Sequence, residues 1–381
     1  MSDLISFFIV LVAGVFFSLL FNRLHLPWVI ALILGGIIIG PFGFGLFSPS
    51  PALELMSQIG LVFLMFMAGL ETRMKTVLEL RDSVIPLTIL SCTVPLAIGA
   101  AIGLGFGLSL EASLLLGIIF ASSSIAVIIP SLEESGIIES KIGRTLVVST
   151  ILIDIFSLAL FSIVLQSINQ TSILPLPFFY AFLVSLFVVL RLLIPSVKRR
   201  LTFRSKKDLF ESEIRQVFVI LIGVVVLFEI IGLHPIIAGF FAGMVLSDTI
   251  TNDLIREKIH TLGYGIFIPV FFITIGTQAN MRSLFESGET VTLAAIVIAG
   301  ALFTKLASGY LGGRLSKFSA KESLFIGAAT IPHLSTALAV IFAGFTLNIF
   351  PETLVAALIA LTLITSFVGP FAIARLAPIA K

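Results

Sequence analysis

Thirteen runs of mostly apolar residues, each close to the length that crosses a hydrocarbon core, follow one another along this 381-residue chain. A spanning helix needs about 20 such residues, and in lipid a helix is favoured because it satisfies its own backbone polar groups. The runs lie near 4–21, 27–41, 52–70, 83–107, 112–132, 145–165, 172–194, 216–232, 234–247, 261–279, 290–312, 323–347 and 353–374, the second and ninth being short. With 58% hydrophobic and 12% charged residues, the chain has too little polar side chain to clothe a soluble or disordered protein. It is read as one all-α polytopic membrane domain over 1–381. A net charge of +2 gives no reason to expect nucleic acid. The single cysteine, Cys92, excludes an internal disulfide, and four scattered histidines supply no local zinc motif. No cofactor is implied. The first run lacks the basic head and cleavage site of a signal peptide, so it is expected to stay in the mature protein.

Orientation follows from Lys and Arg, which concentrate in cytoplasmic loops. Twenty of the 23 fall in connections after odd-numbered segments or in the C-terminal tail, seven of them between Lys198 and Arg215. The opposite side holds Arg282 alone, while Arg191 and Lys305 lie within segments. The N-terminus is therefore expected outside and the C-terminus in the cytoplasm. Arg191, near the cytoplasmic end of segment seven, is expected to snorkel to the interface.

The two halves are self-similar at an offset of about 207 to 210 residues. LPWVIALILGG overlies HPIIAGFFAGM, with Pro27 on Pro235 and Gly35 on Gly243; FMAGLETRMKTVLE overlies ITIGTQANMRSLFE, with Gly69 on Gly276; EASLLLG overlies KESLFIG, with Gly117 on Gly327. The blocks pair segments two with nine, three with ten and five with twelve. A shift of seven spans is odd and reverses direction across the bilayer. Two inverted six-helix repeats joined by a linker helix at 172–194 are the expectation, an architecture of secondary transporters with a midplane site.

Ionisable residues inside the slab are costly and so are functional candidates. Asp154 lies ten residues beyond Arg144 and Lys305 nine before Arg314, which places both about 15 Å deep at the helical rise. Ser122, Ser123 and Ser124 in segment five, and the Thr-Ile-Pro-His run at 330–333 in segment twelve, fall at the same depth. Such stretches suit unwound backbone lining a polar cavity, although the serines also suit close helix packing. A midplane carboxylate among hydroxyls and carbonyls holds either a proton or a monovalent cation, and that competition is exchange. Thr150, one turn before Asp154, adds an oxygen on its face. Lys305 is the expected charge partner of Asp154. A packing ion pair is the alternative role for these two residues. Glu229, towards the outer end of segment eight, is a candidate for an external route or a packing acid. His333 is a candidate for tuning pH response or a hydrogen-bonded structural histidine.

The motifs LHLPWVIALILGGIIIGP, FLMFMAGLE, ASSSIAVIIPSLEE, STILIDIFS, PVFFITIGTQANMRSL and KLASGYLGGRLSKFSAKESLFIGAATIPHLS carry a resemblance through essentially the whole chain. It resembles the second monovalent cation/proton antiporter family, which includes Kef-type potassium efflux proteins and sodium/proton antiporters. The resemblance implies a transporting core at 83–166 and 289–377 with crossed discontinuous helices. The core would slide against a scaffold and dimer part at 1–80 and 216–285. It implies that Asp154 binds the ion with Lys305 beside it. Electrogenic sodium/proton members carry two adjacent aspartates in the sixth span and Kef-like members a glutamine-aspartate pair. Here Ile153 precedes Asp154, so one-for-one, electroneutral exchange is expected. Kef proteins also add a cytosolic nucleotide-binding domain, whereas this chain ends soon after its last span.

The expected function is antiport of Na+ or K+ against H+ by a homodimer in the inner or plasma membrane. The site comprises Asp154, Lys305, Ser123, Ser124 and Thr150, with Ser122, Glu229 and His333 as secondary candidates and Asp154 holding the cation. A sodium-coupled symporter of an organic anion and a gated cation channel are the rivals. An intramembrane enzyme is disfavoured, since no catalytic constellation appears at matched depth.

Overall fold

The computed structural model describes residues 3–22, 28–46, 50–70, 81–168, 212–231, 233–247, 250 and 253–380, with scattered positions between 178 and 193. Arg191, about half of the predicted linker segment at 172–194 and most of the basic stretch from Lys198 to Arg215 lie outside the described residues. Among the described residues the protein is helical, with no strand. The helices are α1 (Asp3–Asn22), α2 (Trp28–Ile39), α3 (Pro51–Leu70), α4 (Arg81–Gly105), α5 (Leu110–Ala121), α6 (Ile125–Glu134), α7 (Lys141–Ile168), α8 (Ser212–Ile230), α9 (Pro235–Ser247), α10 (Asp253–Leu262), α11 (Ile268–Thr277), α12 (Gly288–Leu315), α13 (Ala320–Ala329), α14 (Ser335–Thr346) and α15 (Glu352–Ala380). A π-helical turn, Gly263–Phe267, joins α10 to α11. Seven stretches of described helix are long and apolar enough to cross a membrane, and α2, α5, α9 and α14 are shorter apolar helices. Together they make a multi-pass membrane protein.

Segments five and twelve, single runs in the sequence, are each two helices. α5 starts at the N-cap Ser109, whose side chain accepts from Ala112 N at 3.1 Å, and stops where Ser122 turns extended at φ −62° and ψ 153°. α6 resumes at Ile125. α13 starts from a capping box between Ser319 and Glu322 and stops at Thr330; α14 resumes at Ser335. Proline lies inside α4 at Pro86 and Pro95 without ending it. That is tolerated in a buried apolar setting where neighbouring groups take up the freed carbonyls.

The chain divides into two compact units. The first comprises 1–54, 74–164 and 272–381 and contains both broken pairs; the second comprises 55–73 and 165–271. In the first unit α4 packs on α5 and α12, α12 on α13, and α15 on α12 and α13. Glycines permit the closest approaches. A Cβ on Gly117 would meet Leu96 O at 2.5 Å, and one on Gly327 would strike Leu306 O. Likewise Gly99 lies against Gly117 and Gly309 against Gly327, each pair 210 residues from the other. In the second unit Phe63 packs on Phe218 and Phe267, with centroids 4.9 and 5.5 Å away, and Gly69 of α3 abuts Gly243 of α9. Gly327→Val is expected to destabilise by about 1–3 kcal/mol, because Leu306 O and Tyr310 N are backbone atoms that cannot step aside. A lowered melting temperature in detergent is the readout.

Candidate functional site

The two helix breaks meet. Ser124 N donates to Pro332 O at 2.9 Å and Ser123 Oγ to Thr330 O at 3.0 Å, so each unwound segment satisfies part of the other. The last four carbonyls of α5 have no partner of their own within the helix, and all four are satisfied. Ile118 O accepts from Ser122 N, Ile119 O from Ser122 Oγ at 2.8 Å, Phe120 O from His333 Nε2 at 3.2 Å and Ala121 O from Lys305 Nζ. A carbonyl only accepts, so His333 carries its proton on Nε2. The ammonium thus sits at the negative end of a half-helix, where the dipole favours a cation.

Lys305 is fully buried on α12. Its Nζ donates to Ser123 Oγ at 2.7 Å and to Ser91 O at 3.4 Å besides Ala121 O, and its own carbonyl accepts from Thr330 Oγ1 at 3.4 Å. One lysine therefore ties both breaks to α4 and α12. Asp154 and the buried Cys92 thiol of α4 are within its electrostatic range.

Asp154, on α7, is 1% exposed. Its Oδ1 accepts from Thr336 Oγ1 at 2.9 Å, and Thr336 is the second residue of α14. The carboxylate is thus linked to the first turn of a half-helix, the positive end of that dipole, while the ammonium caps the negative end of α5.

The expected residues divide accordingly. Lys305, Ser123 and Ser122 gather at the end of α5, and His333 bridges the breaks. Its backbone is clamped from α15 by Thr365 Oγ1, which accepts from His333 N at 3.2 Å, and by Ser366 Oγ, which donates to His333 O at 3.3 Å. Ser124 Oγ is buried with no hydrogen-bond partner among the described residues, and so are Ser149 Oγ and Ser157 Oγ on α7. Thr150, one turn before Asp154 on the same face, donates its Oγ1 to Leu146 O at 2.8 Å. Glu229 is exposed in the last turn of α8, in the second unit. Thr336 went unnoticed in the sequence. The available signal was a hydroxyl in the first turn after a midplane break.

These features define a helical membrane protein with two mutually bonded broken helices beside a buried carboxylate. The chain belongs to the sodium/hydrogen exchanger family, whose transmembrane model matches residues 7–378. This places it among membrane transporters rather than enzymes. It is 30% identical over 373 residues to a probable Na(+)/H(+) antiporter 3 of Methanocaldococcus jannaschii, covering 96% of this chain and 95% of that protein. It is 25% identical over 353 residues to the Na(+)/H(+)-K(+) antiporter GerN of Bacillus cereus, covering 91% and 89%. The solved sodium proton antiporter MjNhaP1 of Methanocaldococcus jannaschii shares the fold with a TM-score of 0.75 at 20% identity, over 97% of this chain and 96% of that one. These relatives carry sodium/proton antiporter names rather than Kef-type ones.

Proposed function

We propose that the chain exchanges Na+ or K+ for H+ by alternating access, with Asp154 as the shared carrier. The observation that carries this reading is the buried Asp154 carboxylate bonded to the start of α14 beside two interrupted helices. A carboxylate in such a setting favours a bound positive charge, and proton and cation compete for the same oxygens. The unpartnered hydroxyl of Ser124, Thr150 on the Asp154 face, and carbonyls of the unwound segments are the oxygens that replace a small cation's hydration shell. Lys305 balances charge nearby and holds the end of α5. Sodium is favoured by the names of the relatives, and potassium is retained because GerN carries both ions in its name.

The repeat architecture belongs to the same proposal. α5 and α13 begin 210 residues apart, as do α6 and α14, and the glycine contacts of α4 with α5 recur between α12 and α13 at that offset. Gly36 abuts Gly276 and Ile273 O, and Gly243 abuts Gly69 and Phe66 O, the same contact moved by 207. This makes Gly36, not Gly35, the counterpart of Gly243, one residue from the sequence alignment. The transporting core at 83–166 and 289–377, the scaffold at 1–80 and 216–285, the homodimer, and a plasma or inner membrane location with the N-terminus outside complete the reading.

The test is proton flux in proteoliposomes with an acidic lumen. External Na+ or K+ pulses are expected to alkalinise the lumen. Cation entry without proton movement would replace the antiporter by a channel, and a requirement for an organic anion would favour the symporter. Because Ile153 stands where electrogenic members carry a second aspartate, exchange is expected to be one for one. A current that reverses with membrane potential in a supported-membrane recording would contradict it.

A further inference from the structure

Thr336 bonds Asp154 from another helix, and its placement differs from that of other helical threonines in this protein. Thr150, Thr304, Thr346 and Thr362 turn their hydroxyls back onto the carbonyl four residues earlier, the ordinary habit of a helical threonine. Four residues before Thr336 is Pro332, whose carbonyl already accepts from Ser124 N. Pro332 precedes the N-cap Leu334, so its carbonyl is not a helical acceptor for Thr336, and the Thr336 hydroxyl crosses to α7 and donates to Asp154 Oδ1 at 2.9 Å. Both residues are nearly sealed, at 3% and 1% exposure, and the β-branch stiffens the donor in its rotamer. Leu334, the N-cap of α14, provides no side-chain cap bond, so Thr336 is the hydroxyl through which the start of this half-helix reaches the carboxylate.

We propose that Thr336 is a positioning residue that sets the balance between proton and cation on Asp154, a role that rests on Asp154 being the shared carrier. A hydroxyl donor binds an ionised carboxylate more strongly than a neutral carboxyl, so the bond strengthens as the proton leaves. It thereby favours the form that accepts a cation, and it fixes Oδ1 towards α14. The other titratable groups around the site are Lys305 on α12, Cys92 on α4 and His333 in the break between α13 and α14. Lys305 and His333 have partners of their own at the end of α5, apart from Thr336.

The experiment is Na+-driven proton flux in proteoliposomes across a pH series. Thr336→Val preserves shape and deletes the donor. Its activity midpoint is expected about one pH unit more alkaline than the wild type, the size of one lost charge-assisted hydrogen bond. Thr336→Ser is expected to return the midpoint to the wild-type value. Thr336→Ala carries the same expectation as valine if the valine variant does not yield folded protein. A midpoint that stays in place in the valine or alanine variant, with only the maximal rate reduced, assigns Thr336 to packing and overturns the proposal. An Asp154→Asn arm separates the two levels. Retained exchange there overturns the carrier reading itself, whereas an unshifted Thr336→Val profile with inactive Asp154→Asn overturns the role of Thr336 alone.

Discussion

Asp154→Asn is expected to reduce cation-driven proton movement to the rate of protein-free liposomes while leaving the folded protein intact. Asparagine keeps the shape of the side chain and an oxygen that accepts from Thr336 Oγ1. It can neither bind a proton at working pH nor neutralise a cation. The loss is therefore one of chemistry rather than packing, and its size follows from Asp154 being the carboxylate at the meeting of the two broken helices. Melting in detergent is expected to change little, because the amide removes a buried charge whose desolvation is costly. Transport retained in proteoliposomes would show that another group carries the proton.

The second large effect is expected at Lys305. Its ammonium caps Ala121 O and binds Ser123 Oγ, and those acceptors belong to the break itself. Lys305→Met removes the donor and leaves buried acceptors unmet, each worth about 1–3 kcal/mol. Release from the cost of burying an ammonium offsets part of this. The net expectation is a destabilisation on the order of 2 kcal/mol together with severe loss of transport. Arginine is not expected to rescue, because a planar fork does not fit a site shaped around three converging acceptors. Thermal melting separates two roles. A lysine that serves only as charge partner of Asp154 would leave the melting temperature unmoved when replaced by methionine.

Much of this was legible in the residues. Hydrophobic run length pointed to a multi-pass helical membrane protein, and three serines in a row and Thr-Ile-Pro-His marked both breaks, because neither stretch favours continuous helix in an apolar run. Helical rise placed Asp154 and Lys305 inside the apolar segments, and both are buried in the structure. What remained hidden was partnership across the chain. The Thr336–Asp154 bond and the Lys305–Ser123 bond each join residues 182 apart, and periodicity carries no information at that separation. Depth suggested Lys305 as the charge partner of Asp154 but not that its ammonium also meets the carbonyl end of α5, where a helix dipole provides negative potential. The π-helical turn at Gly263–Phe267 was likewise invisible, since it inserts into a continuous apolar run. The glycine contacts at Gly36 and Gly243 were hidden as well, because Gly35 and Gly36 are adjacent in the sequence and only the contacts distinguish them.

The central claim is that one buried carboxylate holds either a proton or a cation, never both. It is tested most directly by measuring the apparent KM for Na+ at symmetrical pH values in proteoliposomes. Below the pH at which Asp154 loses its proton, each unit of acidification is expected to raise that KM about tenfold, with the maximal rate recovered at saturating Na+. A KM that stays constant over that acid range, while exchange continues, would mean the two ions occupy separate groups and would contradict the account.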